Sequence, residues 1–180
     1  IVRAIMDKNP SLNLQGSDFF FNGEGYCGLQ LPVIIKALRE ELRIKYCGLI
    51  LETPIFHYKQ LNSYQYQKEI FDDKISILDW VSIYEEIKNF NLIINCTSLG
   101  MLGKDDIKFD LSHQKEKSLV IDLVYNPLET GFIVEAIRNH HDYLNGIPML
   151  LNQAALSWVR WLGINPRITD ELISNISNSI

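Results

Sequence analysis

The chain has 180 residues, 47% of them hydrophobic, and its 17 basic and 22 acidic side chains give a net charge of −5. This composition argues for a folded globular chain, and the acidic balance without a basic stripe argues against nonspecific attraction to nucleic acid or anionic lipid, leaving small-molecule partners open. No apolar run reaches the length of a membrane span, and the dispersed Cys27, Cys47 and Cys96 read as reduced, buried thiols in a cytoplasmic setting.

In chain order, Ile1, Val2, Ile5 and Met6 share one helical face, and "NPSLNLQGSD" then reads as a polar connector. Residues 1–17 are therefore expected to form a connecting helix and linker, and Ile1 in place of an initiator Met reads as a start inside a longer protein. Short apolar runs alternate with longer amphipathic ones from there on. The runs predict strands near 18–22, 46–51, 74–78, 91–95 and 118–123, with helices near 29–42, 55–64, 80–88, 130–139, 149–162 and 168–178. Such alternation is the pattern of an α/β fold, a Rossmann-like doubly wound parallel sheet, here over 18–150, with 151–180 as a C-terminal helical tail.

The first strand runs into "GEGYCG", where Gly23, Gly25 and Gly28 keep the spacing of a dinucleotide-binding turn. Such a turn offers the unpaired N–H groups of a helix start to a pyrophosphate, and glycine lets the backbone approach closely. The second strand, "YCGLILE", ends in Glu52, where a carboxylate would accept hydrogen bonds from a ribose 2′-hydroxyl and repel a 2′-phosphate. The bland alternatives are a sharp bend that needs glycine for its dihedrals and a solvated acid at a strand end. His140 and His141, at the end of a predicted helix, point different ways and are expected to be solvated, so no metal site is assigned. Trp158 and Trp161 lie on one helical face and read as core or domain-contact aromatics.

Three further stretches, "LIINCTSLGM" (92–101), "VIDLVYNPLET" (120–130) and "NGIPMLLNQAALSWVRWLG" (145–163), in this order and at these separations, resemble the nucleotide-binding domain of shikimate dehydrogenases. The resemblance implies an oxidoreductase that uses NADP or NAD to reduce 3-dehydroshikimate reversibly to shikimate in aromatic amino acid biosynthesis. Quinate is the alternative substrate. It implies that Gly23, Glu24, Gly25 and Tyr26 lie under the pyrophosphate and that Glu52 and Thr53 of "LETP" stand near the adenosine ribose. Asn95 and the loop Thr97–Met101 would stand near the nicotinamide-side ribose, Leu123 and Gly146 would border the nicotinamide ring, and Tyr125 and Gln153 would touch the substrate.

The chain departs from that family's pattern in two ways. The family's catalytic lysine and aspartate belong to an N-terminal substrate domain with no counterpart in residues 1–180, so no catalytic residue is assigned and the chain alone is expected to bind better than it catalyses. Tyr26 stands where the family has a glycine, and Glu52 where it has an arginine suited to the 2′-phosphate of NADP, which turns the expectation toward NAD. The reading from another class is a noncatalytic, degenerate Rossmann module kept for binding or assembly. Oligomeric state is not readable from these motifs.

Overall fold

A computed structural model of the chain describes the backbone of residues 18–22, 46–50 and 75–78, and residues 87–114 and 118–180. Six strands form one sheet: β1 (Asp18–Asn22), β2 (Tyr46–Ile50), β3 (Ile75–Leu78), β4 (Leu92–Asn95), β5 (Leu119–Asp122) and β6 (Asp142–Leu144). All neighbours pair in parallel, in the spatial order β3-β2-β1-β4-β5-β6. This is the order of a doubly wound fold, built outward in both directions from β1. Five strands lie where the apolar runs predict them. The sixth, at Asp142–Leu144, has three residues and carries no apolar run for the sequence to display.

The direction of winding reverses between β1 and β4, and a crevice at the carboxyl ends of these strands is where open α/β sheets take ligands. Register fixes which residues stand at that edge. Asn22 on β1 pairs with Asn95 on β4, and Asn95 pairs with Asp122 on β5. Every residue of β4 and β5 is buried, so both faces of the sheet centre are covered there, as a parallel sheet requires.

Three helices are described: α1 (Gly131–Arg138), α2 (Ile147–Leu162) and α3 (Asp170–Ser177). A 3₁₀ turn at Ile87–Asn89 precedes β4, within the end of the helical pattern read at 80–88. The patterns at 29–42 and 55–64 lie outside the described residues. One face of the sheet presents Ile93 and Val120 to Phe132 and Ala136 of α1, and the core there is completed by Ile87, Phe90, Ile107, Phe109 and Leu111. Phe109 and Phe132 meet edge to face with centroids 5.7 Å apart. Residues 107–111 alternate buried and exposed. Their apolar side chains, Ile107, Phe109 and Leu111, pack into the core on this face.

The end of α1 shows why β6 is short and why the two histidines differ. The N–H of His140 donates to Ile137 O at 3.1 Å and that of His141 to Ala136 O at 3.0 Å, a Schellman-type stop with His140 in the left-handed region at φ 59°. That turn throws His140 into solvent and folds His141 inward, where it is buried and its Nε2 lies 3.2 Å from Leu111 O. His140 is solvated as expected, and His141 is not. A left-handed residue with a Cβ costs about 1–2 kcal/mol, against about 0.5–1 kcal/mol for the greater chain entropy of glycine. His140→Gly is therefore expected to stabilise the fold by about 0.5–1 kcal/mol, read as a rise in the midpoint of thermal unfolding.

Candidate functional site at the carboxyl edge of the sheet

The last residue of β4 and the last residue of β5 meet through their side chains. Asn95 and Asp122 are both fully buried, and Asn95 Nδ2 donates to Asp122 Oδ1 at 2.9 Å. The second proton of that amide goes to Leu99 O at 3.2 Å. Asn95 Oδ1 accepts from Thr97 N at 3.0 Å and from Thr97 Oγ1 at 2.7 Å. A carboxamide has two donor and two acceptor positions, so all four of Asn95 are used inside the protein. Thr97 Oγ1 in turn accepts from Leu99 N at 3.0 Å, closing the turn after β4.

Asp122 faces three segments at once. Besides Asn95, its Oδ1 accepts from Val124 N at 3.0 Å, and its Oδ2 accepts from Thr130 Oγ1 at 2.6 Å. Thr130 caps α1, its hydroxyl accepting from Ile133 N at 3.3 Å. Asp106 stands close by, its Oδ1 accepting from Gly131 N at 3.3 Å in the first turn of α1. A Cβ on Gly131 would come within 3.0–3.2 Å of that carboxylate, so a larger residue there would have to push the Asp106 side chain aside.

Burial raises the pKa of Asp122 from 3.8 to about 6, against the opposing hydrogen bonds from Thr130, Val124 and Asn95, and the negative charge of Asp106 adds to the rise. Near neutral pH the carboxyl is therefore ionised and held by three donors.

The loop after β4 folds back over this knot. Gly100 N donates to Asp105 O at 2.7 Å, and Leu102 N reaches across to Asn126 O at 3.0 Å. Gly100 has φ +85°, and a Cβ there would also crowd Thr130. The loop's tip carries the exposed side chains of Met101 and Leu102. On the other side of Asp122, Leu123 and Val124 are buried, Tyr125 is exposed, and the Asn126–Pro127 peptide is cis. Gly146 N donates to Val124 O at 2.9 Å. A Cβ on Gly146 would overlap the Leu123 carbonyl oxygen, so only glycine lets the start of α2 lie against the strand exit.

Of the residues expected from the sequence, Asn95 and Thr97 thus share one network, and Leu123 and Gly146 are in backbone contact. Met101 and Tyr125 are exposed at the rim. Gln153 lies further along α2, in an open groove of about 360 Å³ with Leu150, Ala154, Ser157, Trp158 and Trp161. Gly23, Glu24, Gly25, Tyr26, Glu52 and Thr53 lie outside the described residues. The motifs give no role to Asp122, Thr130 or Asp106. The available signal is an acid inside the apolar run "LVIDLV", which a buried strand tolerates only with partners. Among the described residues, no group of three or more His, Cys, Asp or Glu side chains is placed to hold a metal ion.

The strand order and the polar edge at its switch point define a Rossmann-like α/β domain. No protein-family model matches the chain. A shikimate dehydrogenase (NADP(+)) of Dinoroseobacter shibae is 34% identical over 102 residues, 57% of this chain and 37% of that protein. One of Cereibacter sphaeroides (strain ATCC 17025) is 37% identical over 101 residues, 56% of this chain and 36% of that protein. The identity falls on the C-terminal half, and the matched stretch spans little more than a third of these relatives. Among solved structures, shikimate 5-dehydrogenase of Listeria monocytogenes, in complex with shikimate and NAD, superposes with a TM-score of 0.75 at 20% identity over 97% of this chain and 60% of that one. Quinate dehydrogenase of Corynebacterium glutamicum, in complex with NAD, gives 0.74 at 17% identity over 98% of this chain and 58% of that one. Through its C-terminal half the chain is thus similar in sequence to shikimate dehydrogenases, and over nearly its whole length it shares their Rossmann-like fold.

Two outcomes follow from the geometry. Gly146→Ala forces the backbone at Leu123 and Val124 apart and is expected to cost about 2 kcal/mol or more in urea unfolding. For Asp122 the folded pKa lies above the unfolded one, so the native state binds the extra proton between about pH 4 and pH 6, and stability from this group falls as pH rises through that window. A rise from 3.8 to about 6 corresponds to about 3 kcal/mol. Relative to the unmodified chain, Asp122→Asn is expected to gain stability from pH 4 to pH 6.5, by up to that amount, in unfolding curves taken at each pH.

Proposed function

We propose that the chain is the dinucleotide-binding portion of a shikimate dehydrogenase-like oxidoreductase, reducing 3-dehydroshikimate to shikimate and back, with quinate as the alternative substrate. The observation that carries this reading is that the stretches matching shikimate dehydrogenases are those that build the carboxyl edge at the switch point. When bound, the nicotinamide supplies the hydride. The residues present are of the kind such a group needs: Leu123 and Gly146 are buried against each other at the exit of β5, and the turn Thr97–Leu99 is held in shape by hydrogen bonds after β4.

Tyr125 and Gln153 are exposed and carry the polar groups that would orient a hydroxylated acid. In this reading the proton donor to the carbonyl comes from a substrate domain outside residues 1–180. The chain spans about 60% of the solved structures it resembles, and α2 exposes a broad apolar face, with Trp161 81% exposed and Leu156 64% exposed. That face is read as the side that packs toward the substrate domain. Among the described residues no helix is long and apolar enough to cross a membrane.

Both NADP and NAD are candidate cofactors, and Glu52 is the reason to expect NAD(H) to bind at least as tightly, because a carboxylate repels a 2′-phosphate. Calorimetric titration of the chain with NAD(H) and NADP(H) is expected to give saturable binding of NAD(H) with an affinity equal to or above that of NADP(H). Clear preference for NADP(H) overturns the role given to Glu52. No binding of either points to the noncatalytic module.

A further inference from the structure

We infer that Asp122 is a positioning residue for the dinucleotide, acting through Asn95 to set the turn at Thr97–Leu99. The inference rests on the dinucleotide reading above and goes beyond it, because it assigns a task to a buried carboxylate that touches no ligand-facing surface.

The two ends of the Asn95 amide differ chemically but hardly in shape. One end faces two acceptors, Asp122 Oδ1 and Leu99 O, and the other faces two donors, the N–H and the hydroxyl of Thr97. An ionised carboxylate only accepts, so Asp122 pins the Nδ2 end toward itself. Rotating the amide by half a turn would bring its oxygen against the carboxylate and the Leu99 carbonyl, and its NH₂ against the Thr97 N–H. Asp122 thereby decides that Oδ1 is the atom offered to Thr97. Thr97, so held, receives Leu99 N and closes the turn.

That turn is the first segment beyond β4, on the β1 side of which the winding reverses. A ligand in the crevice at this switch point meets the turn directly. Because every hydrogen-bonding position of Asn95 is already used, Asn95 acts by shaping the turn. The remaining bonds of Asp122, to Val124 N and Thr130 Oγ1, anchor the carboxylate from β5 and α1. Asp106, at the start of α1, is the other acid whose charge bears on it.

The test is a double-mutant cycle read by calorimetric affinity for NAD⁺ and NADP⁺ at pH 7.5. Asp122→Ala is expected to weaken binding about tenfold where Thr97 is present and less than about twofold in a Thr97→Val background, since the two act through one chain of bonds. Asp122→Asn, which keeps an acceptor toward Asn95, is expected to restore affinity to within about twofold of the unmodified chain. Thr169→Val removes the cap of α3, outside the bonds of Asn95 and Asp122, and should lower the unfolding temperature while leaving affinity unchanged. Losses that multiply in the double variant, or an equal loss in Thr169→Val, overturn the positioning role and leave the dinucleotide reading standing. Absence of saturable binding by the unmodified chain overturns both. Should Asp122→Ala not fold, the Asn95 side-chain protons of the unmodified chain decide by NMR. Slow solvent exchange of both protons and a shift on adding NAD⁺ support the role; fast exchange overturns it.

Discussion

A charged carboxylate buried between two strand ends is the constraint around which the rest of this edge is organised. An ionised Asp122 without partners would cost several kcal/mol, so the fold must bring donors to it from wherever the chain passes. It does so from β4, from the strand exit at Val124 and from the cap of α1. A single side chain thus joins the end of β4, the exit of β5 and the cap of α1. The arrangement gives the carboxyl edge a defined shape that apolar packing alone would not specify, since hydrophobic contacts have no direction.

Neighbouring backbone choices follow from that knot. The turn after β4 is closed by side chain to backbone bonds, and the loop beyond it crosses back to the cis Asn126–Pro127 segment through Leu102 N. Glycine appears where two backbones or a backbone and a carboxylate meet, at Gly146 and Gly131. The opposite requirement governs the face under α1, where Ile93, Val120, Phe132 and Ala136 fill space and carry no polar obligation. Rigid apolar packing beneath and a saturated polar network above leave the rim, with Met101 and Tyr125 exposed, as the part free to meet a ligand. Among the described residues, by contrast, α2 carries the exposed apolar side chains of Leu156, Trp158, Trp161 and Leu162.

Much of the fold is legible in the sequence because its signals are local. Runs such as "DFFFN" and "LIIN" are apolar without alternation, as strands covered on both faces must be, and five of six strands stand where these runs lie. The helices α1, α2 and α3 overlap the amphipathic patterns read from the chain, and Thr130 and Thr169, read there as helical, cap α1 and α3 instead. The likeness to shikimate dehydrogenases is legible as well, from three stretches in order, and Asn95 and Thr97 lie within the first of them.

Properties that exist only between distant segments are not legible in this way. β6 is three residues long, and its place at the sheet edge is set by pairing with β5 after the Schellman turn at His140. His141 differs from His140 only because that turn points one ring inward. Asp122 looks like a misplaced acid in "LVIDLV" until Asn95 arrives from 27 residues earlier and Thr130 from 8 residues later. Strands, helices and the likeness to shikimate dehydrogenases are written along the chain as periodicity and motif spacing, so they can be read before any folding is known. Which buried groups pair is settled in three dimensions, because a hydrogen bond depends on distances of about 3 Å that the fold alone creates.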